Sequence, residues 1–73
     1  MMADIVIQTK IITQLKKREL PFYSIVFKKI SDNEKLVRIY RTTDIFTETT
    51  LHNNNMNKDI IAVVKLYKIA MSK

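Results

Sequence analysis

FYSIVFKKISDNEKLVRIYRTT, residues 22–43, is the stretch that decides the fold. Two runs, Phe22–Ile30 and Lys35–Thr43, are rich in β-branched and aromatic residues, which suit a pleated, half-buried surface. Between them Ser31-Asp32-Asn33-Glu34 forms a polar connection of hairpin length. The stretch predicts an antiparallel hairpin. The chain contains no glycine, so Asn33 is the natural residue for a left-handed turn position. Pairing Ile30 with Lys35 sets Val26 against Ile39, Lys28 against Val37 and Ser24 against Arg41. The opposite face then carries Tyr23, Ile25 and Phe27 against Thr42, Tyr40 and Arg38. Both faces are apolar at their centres, whereas an exposed hairpin alternates apolar with polar. Such a ribbon requires cover above and below.

Working towards the N-terminus, Ile5, Val6 and Ile7 suit a short strand, while Gln8 to Glu19 are better helix formers. Ile11, Ile12 and Leu15 share a side at helical spacing, and Lys16, Lys17 and Arg18 complement the negative end of a helix dipole. Pro21 drives Leu20 out of the α region and ends the element. Residues 3–20 are therefore read as a helix, with a strand followed by a helix as the alternative.

Towards the C-terminus, residues 44–58 read as a polar loop containing Asn53, Asn54, Asn55 and Asn57. Asp44-Ile45-Phe46 suits a helical turn plugging a barrel end. Residues 59–71, DIIAVVKLYKIAM, read as a closing strand with Ile60, Ala62, Val64 and Leu66 on one face. A helix is the rival there, and the density of Ile and Val favours the strand. These elements predict a mainly β (α+β) single domain over residues 1–73, a small barrel with one N-terminal helix.

Seventy-three residues with 13 Lys and Arg against 7 Asp and Glu leave a net charge of +6, so anionic partners lead the candidates. The absence of cysteine excludes disulfides and thiolate metal sites and favours a reducing compartment. The absence of glycine excludes a P-loop or dinucleotide-binding turn, whose backbone must approach phosphate without a Cβ. The longest apolar run, Ile60 to Val64, is too short to cross a bilayer, and Met1 to Lys10 has neither a basic leader nor a cleavage site. A soluble, cytoplasmic protein is expected. Codon usage implied by abundant Ile, Lys and Asn points to an AT-rich genome, viral or cellular.

The sequence resembles the SH3-like or Sm-like small-barrel proteins of tailed phages, a group related to the WYL domain. Leu15-Lys16-Lys17-Arg18 is similar to their helix end, Ile25-Val26-Phe27-Lys28-Lys29 to their first strand, and Asp32-Asn33 to their Asp-Gly turn. Leu36-Val37-Arg38-Ile39-Tyr40-Arg41-Thr42 is similar to their second strand, although the turn glycine and the cysteine before Thr42 are missing. The resemblance, carried by residues 14–43, implies a five-strand barrel of SH3-like type and a phage origin and transfers no catalytic residue.

No catalytic constellation is visible, and neither cofactor nor metal is expected. His52, the only histidine, reads as a solvated loop residue; the carboxylates are scattered, and Ser24 and Ser31 have no neighbouring base. The basic residues are the one promising group: Lys28, Lys29, Arg38 and Arg41 on the hairpin, Lys65 and Lys68 on the closing strand, with Tyr40 interleaved. Cations in a row suit phosphates, and flat rings suit unpaired bases. The plainer explanation is core tyrosines and edge-protecting lysines. Two functions are expected, both non-catalytic. One is docking on a host or viral protein to modulate or inhibit it; the other is nucleic-acid binding through the basic hairpin. Apolar residues on both ribbon faces lead us to expect a homodimer or higher homo-oligomer.

Overall fold

The computed structural model describes residues 2–72. Helix α1 (Asp4–Lys17) leads into strands β1 (Ser24–Lys29), β2 (Glu34–Tyr40) and β3 (Phe46–His52). A 3-10 turn (Asn53–Asn55) then enters helix α2 (Met56–Met71). The three strands form one antiparallel sheet in the order β1-β2-β3. Ile7, Ile11 and Leu15 of α1 and Ile60, Val63, Val64 and Tyr67 of α2 are buried together with Val37, Ile39 and Leu51 of the sheet. The result is two layers, a pair of helices on one face of an open sheet.

The α1 reading holds, and the strand alternative for Ile5-Val6-Ile7 does not occur. Only Ile7 of those three enters the core, as position i of the buried i, i+4, i+8 series Ile7, Ile11, Leu15. The helix closes with the paired hydrogen bonds of a Schellman motif. Leu20 N–H donates to the Leu15 carbonyl at 2.9 Å, and Glu19 N–H donates to the Lys16 carbonyl at 3.0 Å. Glu19 takes the left-handed position at φ 57°, the one positive φ among the described residues. The expectation for Asn33 is corrected accordingly.

The hairpin is present, in a register one residue away from the expected one. Ile25 faces Ile39, Phe27 faces Val37 and Val26 faces Arg38. The turn explains the slip: the N–H groups of Ile30 and Ser31 both donate to the Glu34 carbonyl, so Ile30 leaves the ladder and Lys29 makes the last pair, with Lys35. A shift of one residue changes which side chains share a face. Here it gathers Ile25, Phe27, Val37 and Ile39 under the helices. Val26, Leu36, Arg38 and Tyr40 fall on the other side, which no element among the described residues covers. The expected cover on both faces is therefore half realised.

Three further expectations are corrected. Residues 44–58 are not all loop, because Phe46–His52 is strand β3, rich in Thr and paired along its full length with β2. Asp44-Ile45-Phe46 makes no helical turn; it is the bend entering β3. Residues 59–71 are not a closing strand but the body of α2. Met56, Ile60, Val63, Val64 and Tyr67 recur every three to four residues, and burying that stripe outweighs the β preference of Ile and Val. With its last segment helical, the sheet keeps β1 and β3 as free edges and does not close into an SH3-like barrel.

Candidate nucleic-acid interface

The structure divides the predicted site residues between two opposite faces. Lys28, Arg38 and Tyr40 stand on the open face of the sheet. There the Arg38 guanidinium lies 4.5 Å from the Phe46 ring centroid, donates to the Tyr40 hydroxyl at 3.3 Å and meets Glu48 at 3.6 Å. The rings of Tyr40 and Phe46 are 5.3 Å apart and tilted by 48°. The Tyr40 hydrogen bond, followed by the charge of Glu48, raises the Arg38 pKa above its already high ordinary value. Arg38 is thus engaged on three sides by its own neighbours.

Two of the predicted cations serve the fold. Arg41 reaches across to donate to the Ala70 carbonyl at 3.2 Å, closing the last turn of α2. Lys29 pairs with Asp32 in the hairpin turn at 3.4 Å. Tyr67, between Lys65 and Lys68 in the chain, is buried and donates its hydroxyl to the Pro21 carbonyl.

Lys65 and Lys68 belong to a different surface. Both are exposed on α2 together with Lys58, while α1 carries Lys10, Lys16 and Lys17 beside it. Each helix contains a single carboxylate, and each is already paired. Asp4 is in an ion pair with Lys35 of β2. Asp59 accepts the His52 backbone N–H at 2.7 Å and touches the His52 ring at 3.1 Å. The helical layer thus carries six lysines against two paired carboxylates, interspersed with exposed apolar side chains such as Ile5, Leu66 and Ile69. Between α1 and α2 runs a groove of about 310 Å³ lined by Thr9, Lys10, Thr13, Gln14 and Asn57 above Ile60 and Ile61. Lys10 spans it, donating to the Asn57 amide oxygen at 3.3 Å.

The strand reading of residues 59–71 hid this surface, because a period of two puts Lys65 and Lys68 on opposite faces. The spacing Lys58, Lys65, Lys68 is the signal that a helical period would have used. His52 is exposed, as expected, but it ends strand β3. Rather than being free in a loop, it sits between Glu34 at 3.4 Å and Asp59 at 3.1 Å, fastening the start of β2 to the first turn of α2. Among the described residues no group of three or more His, Asp and Glu side chains is arranged to hold a metal ion, and no helix is long and apolar enough to cross a membrane. The chain matches no protein-family model, no curated protein and no solved structure.

Proposed function

We propose that the protein is a small, non-catalytic nucleic-acid-binding module that grips the phosphate backbone with the lysines of its helical layer. The observation that carries this reading is the set of six lysines on two adjacent helices against only two carboxylates, one paired with Lys35 and the other hydrogen-bonded to His52. Lysine is a flexible point charge, suited to phosphates and poor at reading base edges. The helices expose no aromatic ring, since Tyr67, their only one, is buried. Without rings there is no stacking platform for unpaired bases. Regular phosphate rows are what this surface recognises, so a duplex is the better ligand than a single strand, and sequence matters little.

The expected affinity is that of backbone recognition, with a Kd of roughly 10⁻⁴ to 10⁻⁶ M at physiological salt. Anisotropy titrations of labelled duplex and single-stranded DNA and RNA at low salt test the reading. Duplex binding that weakens steeply with added salt supports it, and no binding to any of them removes it.

A second reading, docking on a host or viral protein, has one observation in its favour: the sheet face that the chain leaves uncovered, with Val26 and Phe46 47% and 42% exposed. Such docking would vary little with salt, in contrast to phosphate binding.

A further inference from the structure

We infer that the open face of the sheet is the docking surface for a second copy of this chain. The face is apolar at Val26, Leu36 and Phe46, and at one end of it Tyr40 leans on Phe46. Its charges cancel: Lys28 and Arg38 stand against Glu34 and Glu48 on the same side of the sheet. That neutrality identifies the occupant. On a chain of net charge +6, two copies repel wherever their lysines meet, and the helical layer is the worst place for them to approach. The sheet face is the surface on which two such copies approach at least electrostatic cost.

The face is also self-complementary. A two-fold interface sets each patch against its own copy. Arg38 on β2 and Glu48 on β3 are adjacent, so a two-fold axis between them gives each Arg38 the partner's carboxylate as a second ligand. An anionic partner would find no net attraction here.

Three strands of this length offer a footprint of only roughly 350 Å² each, well below the ~800 Å² of a standard interface, so a weak, reversible dimer is expected. Packed sheet to sheet at roughly 10 Å, the two copies would present their lysine layers on opposite outer sides. The inference stands independently of what those layers bind.

Sedimentation equilibrium on the full chain, from low to high micromolar concentration and at two salt concentrations, tests it. The wild type should associate reversibly to a dimer, at least as strongly at high salt, where repulsion between the cationic copies is screened. Val26→Lys and Phe46→Ala should each raise the dissociation constant by tenfold or more, with unchanged far-UV circular dichroism. Should Phe46→Ala lose structure, Val26→Lys alone decides, since the Val26 side chain lies outside the core. A wild type that stays monomeric throughout overturns the inference. So does a dimer indifferent to Val26→Lys, or a face that a different protein occupies while self-association is absent.

Discussion

Asp59 accepts the backbone N–H of His52 at 2.7 Å and lies 3.1 Å from its imidazole, so the only acid of α2 is directed at the end of β3 instead of outward. This one contact serves both the fold and the proposed function. It ties the first turn of α2 to the end of β3, and it directs the one carboxylate of α2 away from the lysines.

Asp59→Ala is therefore expected to separate the two effects. Loss of the hydrogen bond to His52 costs about 1 kcal/mol of stability, read as a lower midpoint in urea. Removal of the charge strengthens binding to duplex at low salt. A variant that is less stable and also binds more weakly, while still folded at the assay temperature, would contradict this division of labour.

Glu19 is the residue to replace for added stability. A side chain with a Cβ is disfavoured at φ 57°, and the Schellman motif at this point ordinarily uses glycine. Glu19→Gly should stabilise the protein by about 1 kcal/mol, raising the denaturation midpoint with an unchanged m-value. The sequence has no glycine with which to announce this turn, which is why a sequence reading looked to Asn33 instead.

The packing of α2 makes a pattern of substitution costs that a strand would not produce. Ile60→Ala should cost about 2–5 kcal/mol because its side chain is buried among Ile11-type core neighbours, a large share of the stability of a domain this small. Ile61→Ala, one residue along and partly exposed, should cost less than about 1 kcal/mol. Equal losses at the two positions would argue against the helix.

What the sequence disclosed and what it concealed both have physical reasons. The hairpin and most of α1 were legible because Phe22–Ile30, Lys35–Thr43 and the pair Ile11 and Leu15 carry strong local patterns. Ile7, read with Ile5 and Val6 as suiting a short strand, belongs to the buried stripe in place of Ile12. The exact register was not legible, because one hydrogen-bonded turn residue, Ile30, determines it. Helix α2 was misread because Ile60 to Val64 is an unbroken apolar run in which local β preference and helical periodicity compete, and only packing against the sheet resolves them. Strand β3 was missed because Thr47, Thr49 and Thr50 look polar while being good strand residues. Arg38, Tyr40, Lys65 and Lys68 were recognised as a basic and aromatic set, yet a face assignment requires the right period, and the set divides between the two sides of the molecule.

Alkaline pH should weaken the fold through Tyr67. Burial raises its pKa above the ordinary value of 10.0, with Arg41 pulling the other way. The folded state thus holds its proton more tightly than the unfolded state does. That contribution to stability is complete below about pH 10 and is lost as pH climbs through the folded pKa. Tyr67→Phe should be less stable at neutral pH, through loss of the hydrogen bond to Pro21, and should show a shallower decline above pH 10. Urea melts at a series of pH values check this, and an identical alkaline slope in both proteins would contradict it.

The salt dependence of duplex binding, measured for the wild type and for Lys58→Ala/Lys65→Ala, tests the central claim most directly. Each phosphate neutralised contributes about 0.9 to the slope of log K against log salt, so the double variant should bind more weakly to every sequence, with a slope smaller by about 2. Lys28→Ala, on the opposite face, should leave both affinity and slope unchanged. A slope that is insensitive to Lys58 and Lys65 but falls with Lys28 would place the contact on the sheet and contradict the account.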